Sequence, residues 1–272
     1  MNQVLSGISK QIDLNEQKKI QLKILQSIDF FCKKNNIKYF AAYGTLIGAV
    51  RHHGYIPWDD DVDVFMLRED YERFLSLYRD DILSVQKDAT DKYPFLFSKV
   101  FDSRTIVYEK NMQSSLSGVY IDIFPLDFVP ENDFERLKYV KKLTLLYNLI
   151  NVKIRKRMQR HTFLKTFVSD IIYVLLKFVN VNFLKKIGRR LVKSCSEKKS
   201  NYVGCLAIWT YLKKEKYPLE LFDDILYMEF EDISIPVPKR FHELLTLIYG
   251  DYMQLPPAEK RINSHGCKAF WK

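Results

Sequence analysis

Residues 43–65, YGTLIGAVRHHGYIPWDDDVDVF, constrain this chain more than any other stretch. Gly44 and Thr45 end an apolar run, Arg51-His52-His53-Gly54 follows, and Pro57 and Trp58 lead into four aspartates. Asp61 and Asp63 alternate with Val62 and Val64. That period of two predicts a strand with both carboxylates on one face and the valines buried behind them. Adjacent carboxylates repel and raise each other's pKa unless a cation lies between them. The pattern therefore points to a divalent metal site. A calcium loop starting at Asp59 is excluded, because its sixth and twelfth positions require Gly and Glu and here hold Val64 and Asp70. Asp59-Asp60 alone reads as a solvated turn or cap. A glycine turn followed by D-x-D on the next strand is more telling, since it sets phosphate and metal side by side.

Upstream of that stretch, residues 14–35 are expected as a helix capped by Asp13, with Ile20, Ile24, Ile28 and Phe31 on its inner stripe. A short strand is expected over 37–43. Residues 44–53 then form a turn opening into a short helix, where glycine and first-turn amides suit a phosphate. Arg51 is a candidate phosphate clamp, because its fork can bind two oxygens. His52 and His53 are either ligands, bases or plain surface groups, and Trp58 is either a pocket wall or core.

Residues 68–79 read as a helix burying Tyr71, Phe74, Leu75 and Tyr78, and 95–100 and 104–109 as strands carrying Lys99 and Arg104 towards phosphate. Residues 118–124 read as a strand with Asp122 among apolar neighbours, a costly placement unless that carboxylate is paired or metal-bound. Asp127, after Pro125, reads as a turn or cap. The signal from 131 to 199 is helical, with Asn182 capping the last helix and Lys185, Lys186, Arg189, Arg190 and Lys193 on a basic face. Residues 227–237 read as one bent strand or a hairpin turning at Glu231-Asp232. A final helix is expected to open at Pro238 and end at Gly250.

Net charge is +10, distributed unevenly. Residues 138–199 hold 17 Lys and Arg against Asp170 and Glu197, a net of +15, which leaves −5 for the remainder. Such a segment seeks anionic partners. Lys165, Asp170 and Lys177 interrupt the most apolar run, so a spanning helix is rejected, while a helix in the membrane interface stays open beside a solvated bundle. Cys32, Cys195, Cys205 and Cys267 lack C-x-x-C spacing and read as reduced, structural thiols. The first residues have no apolar signal core, so the expected location is cytoplasmic, with peripheral contact to the inner face of the membrane.

The motif at 44–64 resembles the signature of the LicD family, which includes bacterial phosphocholine transferases and is related to fukutin-type proteins. The likeness extends through YIDIFPLD at 120–127, YGDY at 249–252, Pro256-Pro257, Arg261 and His265. It implies an α+β, nucleotidyltransferase-like mixed sheet flanked by helices. The core would span 1–130, a basic helical insertion 131–200, and a segment completing the core 201–272. It implies Asp61, Asp63 and Asp122 as the catalytic carboxylates holding one or two Mg²⁺, or Mn²⁺, with Gly44, Thr45, Arg51, Lys99, Arg261 and His265 towards the donor phosphates. The implied reaction moves phosphocholine from CDP-choline to a hydroxyl of a teichoic acid or lipopolysaccharide glycan, releasing CMP. Another phospho-alcohol such as ribitol phosphate, or a phosphosugar, is the near alternative. A non-enzymatic basic module binding a membrane surface or nucleic acid is the distant one, and for the transferase nucleic acid is not an expected partner.

Overall fold

The computed structural model describes residues 10–87, 93–108, 118–154, 163–176, 178–208, 211–262 and 266–272, without the side chains of 163–169. In chain order these form β1 (Lys10–Ile12), α1 (Leu14–Asn35), β2 (Phe40–Ala41), α2 (Tyr43–His52), β3 (Asp63–Leu67), α3 (Arg68–Leu77), β4 (Leu83–Gln86), β5 (Ser98–Asp102), β6 (Thr105–Tyr108) and β7 (Tyr120–Phe128). The helical stretch follows as α4 (Asp133–Ile154), α5 (Phe163–Leu176) and α6 (Val181–Ser196). Then come β8 (Tyr202–Gly204), β9 (Tyr217–Pro218), β10 (Ile225–Phe230), β11 (Ile233–Pro238), α7 (Phe241–Tyr249) and β12 (Lys268–Trp271).

The main sheet has the order β2-β3-β7-β5-β4. β3 and β7 run parallel at its centre, and their neighbours are antiparallel. β8 continues along the far end of β7, and β9 pairs β8. A smaller sheet, β1-β12-β6, joins residues from both ends of the chain, and β10-β11 is a separate hairpin. This is a mixed-sheet α+β fold. Its core buries Ile24 and Ile28 of α1, Val64 and Phe65 of β3, Phe74 of α3, and Ile121 and Ile123 of β7.

Local chemistry explains the boundaries. Asp13 accepts the Glu16 N–H at 2.8 Å to open α1, and Asn36 in the left-handed region (φ 52°) ends it. The β10-β11 hairpin turns at Glu231-Asp232, with Glu231 at φ 56°. α7 begins later than expected: Pro238 pairs with Ile225 as the last residue of β11. β7 runs past its expected end at Phe124, through Pro125 to Phe128. The proline is tolerated because β5 pairs β7 only over 120–123 and β8 begins pairing at Asp127, so on that edge Pro125 lacks no ladder bond. Asp127 is consequently a buried strand residue, clamped by Arg68 through Nε and Nη2 at 2.8 and 2.7 Å, and not a turn or cap.

The helical segment is packed against the sheet. Val140, Leu143 and Tyr147 of α4 and Val192 and Cys195 of α6 join the main core, while Leu146, Ile150 and Leu184 form a second, small one. Asn180, not Asn182, caps α6, accepting the Asn182 N–H at 2.8 Å. Lys185 does not belong to the basic face: it is buried and donates to the Tyr93 carbonyl. Lys186, Arg190 and Lys193 are exposed as expected. All four cysteines are free, three of them buried. No helix among the described residues is long and apolar enough to cross a membrane.

Candidate functional site

The acidic stretch sits where three elements converge. β3 begins at Asp63, so Asp61 lies in the loop before it and not on the strand as expected. Val62 and Val64 are buried, as the alternation required. Asp63 stands opposite Asp122 in the parallel β3-β7 register, and the Asp122 N–H donates to the Val62 carbonyl at 3.0 Å. Side chains paired this way in a parallel ladder share a face. Lys99 faces Asp122 from β5, its Nζ 2.7 Å from Asp122 Oδ1 and 3.2 Å from the Tyr120 ring centre. Lys99, expected on phosphate, is therefore a buried partner of Asp122.

Asp59, Asp60 and Asp61 gather with ligand oxygens within 4.8 Å of one another. Burial, and then the charges of Asp61, Asp122 and Asp59, hold the Asp63 carboxyl well above the usual carboxylate range, which Lys99 only partly offsets. The structure thus brings Asp61, Asp63 and Asp122 together electrostatically and adds Asp59, which the sequence reading had set aside as a turn residue. Its signal was present in the unbroken run 59–61. Gln17 and Gln21 of α1 fix the loop from below, donating to the Asp60 carbonyl at 2.9 and 3.0 Å.

α2 covers this cluster with its first turn. Thr45 accepts the Asp63 N–H on its hydroxyl at 2.8 Å, fastening helix to strand. A Cβ on Gly44 would lie 2.7 Å from Asp59 Oδ2, so only glycine admits that carboxylate without displacing it. At Gly48 a Cβ would lie 2.3 Å from the Gly54 carbonyl, and the loop after α2 folds back over it. The β10-β11 turn secures that loop: Glu231 donates its N–H to the His53 carbonyl and accepts the Tyr55 N–H at 2.9 Å.

α2 starts one residue inside the strand the sequence suggested, with Tyr43 at φ 40°. A bulky residue seldom adopts this region, and the conformation persists only because its surroundings over-determine it. The Tyr43 ring packs between Phe65, Phe124 and Tyr211, and its hydroxyl donates to Glu215 Oε1 at 2.7 Å. Glu215 is fully buried, also accepts the Cys205 N–H at 2.7 Å, and has its pKa pushed up to about 7, chiefly by burial. Nothing in Lys213-Lys214-Glu215-Lys216 distinguished it from a solvated charge run. Its folded pKa lies above the ordinary 4.5, so the fold is unpenalised below about pH 4.5 and loses stability as pH rises through 7. The loss is about 3 kcal/mol in total. Glu215→Gln, which keeps an acceptor for Cys205, is expected to flatten this slope, seen as a Tm gain over wild type that grows between pH 5 and 8.5.

The remaining candidates lie along one flank. Arg51 donates through Nε to His52 at 3.0 Å and through Nη1 to the Tyr252 carbonyl, tying α2 to the segment after α7. Trp58 is half-buried, edge-on to His52, with the exposed Arg261 guanidinium 5.7 Å from its ring centre. Arg261 also donates to the Pro256 carbonyl at 2.8 Å. His53 is exposed at the end of α2, 3.8 Å from Glu229. Arg104 is engaged by Asp102 at 2.6 Å, away from the cluster's own pairs. His265 lies outside the described residues.

Comparison with known proteins gives one consistent answer. The family described as LicD/FKTN/FKRP, nucleotidyltransferase domain, matches residues 36–168, which hold every carboxylate of the cluster. The lipopolysaccharide cholinephosphotransferase LicD of Haemophilus influenzae is 31% identical over 270 residues, covering 96% of this chain and 99% of that protein. An uncharacterized protein of Rickettsia typhi is 31% identical over 136 residues, 48% of this chain and 42% of its own length. One of Rickettsia prowazekii is 62% identical over 37 residues, 14% of each chain. The chain belongs to the LicD family of phosphotransferases.

Proposed function

We propose that this protein transfers phosphocholine from CDP-choline to a hydroxyl of a lipopolysaccharide or teichoic acid type glycan, releasing CMP, with Mg²⁺ or Mn²⁺ bound at the acidic cluster. The observation that carries this reading is the pairing of Asp63 with Asp122 on adjacent parallel strands, beside Asp59 and Asp61 and beneath the first turn of α2. The donor set fits a hard divalent cation. It is made of carboxylate oxygens, and Asp63 is held above its ordinary pKa by burial and then by neighbouring carboxylate charges that a cation would neutralise. Asp61, Asp63 and Asp122 would hold the ion, with Asp59 alongside. Such a cation neutralises charge on the transferred phosphoryl group and on the leaving phosphate.

The chain's own groups then position the reactants. The first-turn amides of α2, which have no intrahelical acceptor, present donors to the diphosphate next to Gly44 and Thr45. Arg261, exposed beside Trp58, supplies a cation at the rim. Arg51 braces that rim through Tyr252. Tyr211 and Tyr249, ring centres 6.3 Å apart at 77°, lie near enough to Asp63 for its charge to add to burial in raising their pKa. Aromatic faces beside a carboxylate suit a quaternary ammonium. The acceptor hydroxyl forms its bond to the choline-bearing phosphorus as the bond to CMP breaks, and its proton goes to Asp63 or Asp122. The relative from Haemophilus influenzae, named for choline phosphate transfer to lipopolysaccharide, supports this choice of group and acceptor.

The test is CMP release from CDP-choline, CDP-ribitol and CDP-glycerol, with and without lipopolysaccharide or teichoic acid acceptors, in Mg²⁺ or EDTA. The expected result is Mg²⁺-dependent, acceptor-stimulated release from CDP-choline above the others. Preference for CDP-ribitol or CDP-glycerol would replace the transferred group and keep the site. No release from any nucleotide donor would overturn the reading.

A further inference from the structure

The far end of the helical segment carries an apolar stripe that is exposed among the described residues. Ile171, Val174 and Leu175 fall at i, i+3 and i+4 on one face of α5, and Phe178 follows in the turn beyond the helix. Their exposures are 45, 62, 70 and 91%, and Phe183 at the start of α6 is 59% exposed. This end is held firmly. Lys153 at the end of α4 donates to the Leu176 carbonyl at 2.7 Å, Val179 packs on the small core of Leu146, Ile150 and Leu184, and Asn180 caps α6. The stripe is thus presented on a fixed frame. Lys186, Arg190 and Lys193 lie exposed on α6, the next helix in the chain, within a segment of net +15.

We infer that this end of the helical segment docks the protein on an anionic lipid bilayer, with Leu175 and Phe178 entering the interface and the α6 cations contacting headgroups. Two observations favour lipid over another occupant. An exposed apolar stripe within a densely basic segment is the composition of an interfacial helix, and no described helix can span the membrane instead. A second copy of this chain would set two segments of net +15 against each other. The inference goes beyond the transferase reading and does not rest on it.

The experiment is flotation of the full chain with vesicles of phosphatidylcholine alone or mixed with phosphatidylglycerol, at low and high salt. Wild type is expected to float with the anionic vesicles and to be released by salt, because exposed charges are screened within about 10 Å. Leu175→Ser/Phe178→Ser is expected to weaken partitioning about tenfold or more. Lys186→Gln/Arg190→Gln/Lys193→Gln is expected to weaken it up to about fivefold per residue. Phe178→Trp should blue-shift its emission when anionic vesicles are added. All these side chains are exposed, so the variants should fold, and CMP release with a soluble acceptor should be unchanged. Failure of wild type to float, or equal flotation of the Leu175→Ser/Phe178→Ser protein, overturns the inference. So does a dimer in sedimentation velocity that this double variant dissolves without any vesicle binding.

Discussion

Asp63→Asn is expected to lower turnover roughly a thousandfold or more while leaving the protein folded and slightly more stable. Asp63 stands at the start of a central strand, opposite Asp122 and within reach of the charges of Asp61 and Asp59. Its folded pKa is raised, so it penalises the fold once pH climbs above the ordinary carboxylate range and through that raised value. Asparagine keeps the shape and removes a charge that burial and its neighbours disfavour, so a Tm above that of wild type is expected. Saturating Mg²⁺ should stabilise wild type and do little for the variant. Thermal melts with and without Mg²⁺, beside turnover with CDP-choline, read both effects. A variant that loses activity together with its cooperative melt would make Asp63 structural.

The second large effect concerns Lys99. Both partners of the Lys99–Asp122 pair are buried, and replacing one leaves the other's charge without compensation. Lys99→Met is therefore expected to destabilise the Mg²⁺-free protein by roughly 3–5 kcal/mol. Adding Asp122→Asn to it should recover much of that loss, because no buried carboxylate is then left without its cation. Mg²⁺ should also rescue Lys99→Met more than wild type, since the cation takes over the neutralising role. Chemical denaturation of the three proteins with and without Mg²⁺ checks this. Equal losses in the single and double variants would mean that Lys99 acts through packing on Tyr120 instead.

Much of this arrangement could be read from residues close together in the chain. The helix from Asp13 to Asn36, the buried valines around Asp63, and the hairpin at Glu231-Asp232 follow from caps, alternation and turn chemistry that act over a few residues. What escaped depends on partners distant in sequence. Lys185 belongs by pattern to a solvated face, yet its acceptor is the carbonyl of Tyr93. Glu215 sits in a lysine-rich run and is buried by Tyr43 and Cys205. Asp127 resembled a cap after proline until β8 was seen to continue the sheet and Arg68 to clamp the carboxylate. Lys99 is a candidate phosphate ligand by its charge and neighbourhood, and the fold pairs it with buried Asp122.

We propose that the carboxylates around Asp63 form a divalent-cation site. Its most direct test is Mn²⁺ binding followed by electron paramagnetic resonance, in wild type, Asp61→Asn and Asp63→Asn, with and without CDP-choline. One or two bound Mn²⁺ are expected in wild type, tightened by nucleotide and displaced by Mg²⁺, with binding largely lost in both variants. Undiminished Mn²⁺ binding in both Asn variants, or none in wild type even with nucleotide present, would contradict it.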